Sequence, residues 1–369
     1  MMTAIVTKIE TLEITIPLPK PLLLGAMPIM ARQYAIVRVY DNEGNFGVTY
    51  GLTRGAPIAA TMERLIAPRW VNQKLENHEQ FYENTVAGNH FMGTHGIFWR
   101  ALSLADCALH DLLAKRAGKS LCGYLGGSIK PVQTMVAGCY PTSDETEASL
   151  TALMQHMLSY GAAGIKITSS TDYVRDTTRL AICRRAIPTG PPFVNDLYCM
   201  VKDVPALIDQ ARQWTDFRML WVEDPLPFDD IAGVTQIATA LPYAVGVGDE
   251  QASLLHFERL MDQGQIGVLR LDATVCGGVR AFIKIAKAAA ARRIPVSCHI
   301  FHHLHAQLAA AIPNVQWIEY MLPATNVESI HLLWNSDLRW ENGRLVPSAL
   351  PGIGCDWNAE AIEHYRLQS

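Results

Sequence analysis

No apolar run in this chain approaches the length that a membrane-spanning helix needs. The opening "MMTAIVTKIETLEITIPLPK" also lacks the apolar core and small-residue cleavage site of a secretory leader, so a cytoplasmic location is the expectation. Neither sign of charge dominates: 31 Lys and Arg stand against 35 Asp and Glu, a formal net charge of −4. That balance offers no footprint for nucleic acid or for an anionic membrane surface. The eight cysteines (Cys107, Cys122, Cys139, Cys183, Cys199, Cys276, Cys298 and Cys355) form no CxxC pair. Several sit in apolar contexts, as buried free thiols do, and a disulfide framework is not expected in a chain this long.

What is present is globular. Hydrophobic residues make up 49% of the 369 positions and charged residues 18%, enough to bury a large core in two domains. In the first part, "TAIVTKIETLEITIPL" and "YAIVRVYDNEGNFGVTYG" alternate as strands do, the latter around an Asn-Glu-Gly turn. "GIFWRALSLADCALHDLLAKRAG" then carries apolar residues at helical spacing and stops on Gly118. From about residue 132 the pattern becomes short apolar runs separated by amphipathic helices. The runs are "QTMVAGC", "AAGIKIT", "PFVNDLY", "MLWVEDP", "AVGVGDE", "VLRLDAT", "IPVSCHI" and "VQWIEYM". Repeated β-α units with apolar strands predict an α/β fold, a (β/α)7-8 TIM-type barrel behind an N-terminal α+β capping domain. An open doubly wound sheet fits less well, because the first βα turn has no glycine-rich dinucleotide fingerprint. The expected boundaries are 1–128 for the cap, 129–345 for the barrel and 346–369 for a tail packing back on the cap.

In such a barrel the active site lies at the carboxyl ends of the strands. The polar residue closing each run after the first is, in order, Lys166, Asp196, Glu223, Asp249, Asp272, His299 and Glu319, at intervals of 20 to 30 residues. Each interval is about one β-α unit, so all seven side chains converge on one mouth, and burying them without a use would be costly. Taken singly, Asp196, Glu223 or Asp249 reads better as a helix cap or a surface ion pair than as a metal ligand. As an ordered trio they repel one another unless a cation joins them, and oxygen-only ligation favours Mg2+. At "GDE", Asp249 fits the spacing and Glu250 is expected to point away, toward a supporting cation or solvent. Asp272 beside His299 would fix one imidazole tautomer and raise the basicity of the other nitrogen, which makes a catalytic base. His302, His303 and His305 read as mostly structural.

The ordered set resembles the enolase superfamily, in its mandelate racemase and muconate-lactonising branches. The resemblance rests on "SLADCALHDLLAKRAGKSL", "YLGG", the acid trio, "DATVCGG", "CHIF" and "WIEY", in that order along nearly the whole chain. "GDEQ" is similar to the muconate-lactonising branch, and the Asp272–His299 pair to the racemase branch. The resemblance implies one Mg2+ per site, a substrate carboxylate bound to it, and removal of the proton on the adjacent carbon. Lys166 then matches the first lysine of the Lys-x-Lys motif, which contacts the carboxylate. Glu319 matches an acid that donates to the enolate and is expected to be protonated. Assembly into a homo-oligomer is likewise implied.

The departure is Thr168, which stands where the second lysine, the base on the other face, would be. Racemisation needs a proton acceptor on each face, so a racemase or epimerase reading is weakened. One base suffices for abstraction followed by loss of a β-substituent, which points to dehydration of an acid sugar (an aldonate or aldarate). Either His299 returns its proton to the departing hydroxyl on the same face, or Tyr198 or Thr168 assists on the other. A cycloisomerase acting on an anhydro-sugar acid or lactone through the same intermediate stays open. So do Lys166 acting as a base and a retired barrel that binds metal and carboxylate without turnover. Substrate choice is expected in the first-domain stretches 21–34, 50–55 and 87–96, with Tyr50, Arg54, His90 and His95 as contacts. Met27, Met30 and Met92 make that lid less than uniformly polar.

Overall fold

Alternation in the first strands produces a three-stranded antiparallel sheet in the computed structural model of the chain, which describes residues 3–24, 27–325 and 327–366. Strand β1 (Val6–Leu24) pairs with β2 (Met27–Asp41), and β2 with β3 (Phe46–Leu52). Leu12, Ile14 and Ile16 turn inward from β1, as a period of two demands. The long helix Ile97–Arg116 crosses this sheet so closely that a Cβ on Gly47 would lie 1.9 Å from the Ala108 carbonyl oxygen. Only glycine fits there. Gly25 and Ala26 of the lid stretch, the Met27 side chain and residues 367–369 of the tail lie outside the described residues.

Each of the eight apolar runs becomes a parallel strand: β4 (Val132–Gly138), β5 (Gly164–Thr168), β6 (Phe193–Asp196), β7 (Met219–Glu223), β8 (Ala244–Val247), β9 (Val268–Leu271), β10 (Val296–Cys298) and β11 (Val315–Met321). Pairing of β11 back to β4 closes the barrel, which excludes the open sheet. Helices alternate with the strands, several begun by an aspartate or threonine whose side chain accepts from the first turn, such as Asp172 and Thr146. Residues that face outward, including Ile165, Ile167, Val245, Val247, Leu269 and Leu271, join the core beneath the helices. Inside, Met135, Val194, Trp221 and Val268 pack with Trp317 into an apolar plug. The polar ladder stands above that plug.

After β11 the chain adds a short hairpin (Trp340–Glu341 and Arg344–Leu345) antiparallel to β4. It then runs back to the first domain: Ile353 N donates to Asp111 Oδ1 at 2.6 Å, and Arg366 bridges to Ile14. The eight cysteines are free and mostly buried. Among the described residues no helix is long and apolar enough to cross a membrane.

Candidate active site

Strand alternation puts Lys166 and Thr168 inside the barrel and Ile165 and Ile167 outside. Lys166 is buried, with Nζ 2.9 Å from Asp196 Oδ2, 2.9 Å from Glu319 Oε1, and in contact with Glu223 Oε1. Burial pulls the Lys166 pKa down, but Asp196, Glu223 and Glu319 together hold it well above the ordinary value.

A second cation shares the same acids. Arg270, fully buried two residues before Asp272 and therefore on the same strand face, sets Nε 2.9 Å from Glu223 Oε2 and pairs through Nη2 with Glu319. Glu223 also accepts from Trp221 Nε1 at 2.9 Å, and Glu319 from the backbone N–H of Ile300 at 3.1 Å. The expectation that Glu319 is protonated is therefore corrected. Burial raises its pKa, yet Arg270 and Lys166 outweigh burial and lower it below the carboxylate range. Glu223 is the acid pushed up, to about 7, chiefly by burial.

Carboxylate oxygens of Glu223, Asp224 and Asp249 lie within 4.8 Å of one another, with Asp196 tied to Glu223 through Lys166. Asp224 was not among the sequence candidates, since alternation sends the neighbour of Glu223 to the opposite face. Its backbone, at φ 38°, leaves the strand conformation, and its side chain accepts from Gly248 N at 3.0 Å. Burial, Asp249 and Glu223 hold its pKa well above the ordinary value. Four acids at one mouth, all offering oxygen, make a donor set suited to a hard divalent cation.

Asp272 and His299 meet as the spacing predicts: Oδ2 is 2.9 Å from His299 Nδ1. The other carboxylate oxygen of Asp272 accepts from Thr274 N at 2.7 Å and Thr274 Oγ1 at 2.8 Å, which locks its orientation. His299 Nε2 faces the acid cluster, 3.7 Å from Asp249 Oδ2. Burial pulls the His299 pKa down, but Asp249 and the bond to Asp272 carry it above the ordinary 6.5. His305 is structural: its Nδ1 donates to Ile300 O at 2.6 Å and its Nε2 accepts from Ala273 N at 3.1 Å.

The remaining candidates divide. Thr168 is buried beside Asp196 in register, and its Oγ1 has no hydrogen-bond partner among the described residues. Tyr198 N donates to Asp196 Oδ1 at 2.9 Å, and its hydroxyl meets that of Tyr140, a residue the sequence reading missed. Glu250 turns to two cations, accepting from Arg54 Nε at 2.9 Å and from Arg100 on the long helix of the first domain. Arg54, expected as a substrate contact, pairs with Glu250. Tyr50 is corrected as well. It is fully buried, its ring edge-on to Phe301, Trp334 and Trp357, and belongs to the packing between the first domain and the barrel. His90 and His95 are exposed: His90 Nδ1 donates to Ala87 O at 2.8 Å, and the His95 ring lies 5.6 Å from that of Phe228. Among the described residues, neither bonds to the acid–lysine–histidine cluster. Met30, with Leu24, Ile29, Arg32 and Arg54, lines a cavity of about 430 Å3 beside the first-domain strands.

Comparison with known proteins shows the family and the fold. Residues 7–126 match the family described as mandelate racemase / muconate lactonizing enzyme, N-terminal domain, and residues 149–361 match the family described as enolase C-terminal domain-like. The chain is 27% identical over 332 residues to L-talarate/galactarate dehydratase of Salmonella typhimurium, covering 89% of this chain and 80% of that protein. It is 26% identical over 321 residues to 3,6-anhydro-alpha-L-galactonate cycloisomerase of Streptomyces coelicolor, covering 85% and 88%. In fold it is similar to the crystal structure of an enolase from Bradyrhizobium complexed with magnesium and mandelic acid. That match has a TM-score of 0.89 and 20% identity over 100% of both chains.

Proposed function

The chain belongs to the mandelate racemase and muconate lactonizing enzyme family of the enolase superfamily, and from that premise we propose that it is a Mg2+-dependent dehydratase of an acid sugar. The observation that carries this reading is the unequal pair of barrel flanks. One flank offers the Asp272–His299 dyad, and the other offers Thr168 where a second base would be needed for racemisation. The dehydratase relative supports it from outside the chain.

Asp196, Glu223 and Asp249 would hold the ion, with Asp224 beside them. When bound, Mg2+ supplies positive charge against a substrate carboxylate and against the negative charge that develops as the adjacent proton leaves. Lys166, fixed as an ammonium, is the second clamp on that carboxylate. Glu319, ionised between Lys166 and Arg270, orients the lysine rather than donating a proton. Asp272 holds the proton on His299 Nδ1, leaving Nε2 to accept the proton alpha to the carboxylate. That proton then passes from Nε2 to the β-hydroxyl, the carbon–oxygen bond breaks, water leaves, and His299 is neutral again. The resulting enol becomes a 2-keto acid. Thr168 and Tyr198 face the substrate as hydroxyl donors.

A second reading is favoured by the cycloisomerase relative: the leaving oxygen is tethered within the substrate, and nothing is lost. Incubating the chain and Mg2+ with aldonates, aldarates and their anhydro and lactone forms separates the two by product mass. Loss of one water supports the dehydratase, and an unchanged mass the cycloisomerase. No reaction with any of them counts against both.

A further inference from the structure

We infer that His302, His303 and Asp337 form a second metal site, suited to a transition ion such as Zn2+, on the outer wall of the barrel. In β11 Glu319 points into the mouth, so Tyr320 points out, and its hydroxyl donates to Asp337 Oδ2 at 2.6 Å. That bond fixes the carboxylate with Oδ1 turned to two imidazoles: His302 Nε2 at 2.6 Å and His303 Nε2 at 3.7 Å. One ligand atom from each residue lies within 4.8 Å of the others. The histidines open the helix His302–Ala311, and Asp337 follows the strand segment Trp334–Ser336. The Trp334 ring stands against both imidazoles, 5.5 and 4.6 Å between centroids, and shields them from bulk water.

His303 is the residue that ordinary packing leaves unexplained. It is almost wholly buried, yet neither ring nitrogen hydrogen-bonds to a described residue: 3.7 Å is too long, and Nδ1 has no partner. A buried polar group left this way is costly, and a metal on Nε2 would offset that cost. A cleft of about 330 Å3 reaches His303 and Asp337 from solvent, with Ser336, Ser348 and Asp356 on its walls. It gives the ion an entry path and room for water in the remaining positions. Two imidazoles and one carboxylate select zinc, cobalt or nickel over magnesium, which the oxygen-only mouth prefers.

The alternative is a hydrogen-bonded chain from His302 through Asp337 to Tyr320, in which His303 takes no part. Calorimetric titration of the metal-depleted full chain with Zn2+, in saturating Mg2+ to fill the mouth, separates the two. The inference expects one Zn2+ per chain, and the change in d–d absorption of Co2+ that marks nitrogen ligation. His303→Gln and Asp337→Asn should each lose that equivalent or weaken it by about a hundredfold, while circular dichroism stays that of the parent chain. Should His303→Gln misfold, the half-exposed Asp337→Asn decides. No Zn2+ binding by the parent chain, or equal binding by the folded variants, overturns the site.

Discussion

The two flanks of the barrel mouth carry similar numbers of polar groups and very different chemistry. On β5, Lys166 is clamped among Asp196, Glu223 and Glu319, and Thr168 has no ionisable group to offer. Across the mouth, Asp272 and His299 form a dyad with one imidazole nitrogen free toward the acids. One flank holds charge in place, and in the proposed reaction the other moves a proton. Position within the ladder therefore says little about role; the partners of each group decide it.

The sharpest break in that contrast is His299→Asn, which removes the proposed proton acceptor. Steady-state turnover should fall on the order of 10^4-fold, with substrate binding retained through Lys166 and the metal. Next is Asp272→Asn, expected to cost about a hundredfold by freeing the imidazole tautomer. It carries a pH signature. The His299 pKa is raised above 6.5, so kcat/KM falls as pH drops through that raised value and the imidazole is protonated. Without Asp272 the pKa falls, and the acid limb of the profile must move to lower pH. Thr168→Lys tests the other flank by restoring a second amine. Dehydration should drop about tenfold or less, while proton exchange on the opposite face, read by stereochemistry at the alpha carbon, should appear. The smallest effect belongs to the joint between the domains. Glu250, depressed from 4.5 to about 2 because Arg54 and Arg100 outweigh burial, stabilises the fold above pH 4.5, and that contribution is lost as pH falls toward 2. Glu250→Gln should lower stability at neutral pH by about 1 kcal/mol, as for a partly exposed pair. It should also flatten the acid side of a melting-temperature profile.

The ladder was legible because a closed parallel barrel repeats one rule: apolar run, polar residue at the carboxyl end, helix. Lys166, Asp196, Glu223, Asp249, Asp272, His299 and Glu319 all stand at the mouth for that reason. Arg270 sits one turn of the alternation deeper, inside "VLRLD", and reads as part of the strand although its face is the face of Asp272. Missing it also misjudged the ionisation of Glu319, which depends on that guanidinium. Asp224 escaped because a left-handed backbone residue breaks the period of two just where the strand ends. Tyr50 was misread for another reason: its neighbours Phe301, Trp334 and Trp357 are far along the chain, and a local pattern cannot announce them. Arg100 belongs to the same class, reaching Glu250 from 150 residues away.

The central claim is that a single base, His299, removes the proton alpha to a carboxylate. Deuterium incorporation at that carbon, followed by proton NMR in deuterated water with Mg2+ and a panel of acid sugars, tests it directly. The account predicts Mg2+-dependent exchange or elimination with at least one acid sugar, abolished by His299→Asn and retained by Thr168→Ala. Exchange that survives in His299→Asn, or that is lost in Thr168→Ala alone, would contradict it.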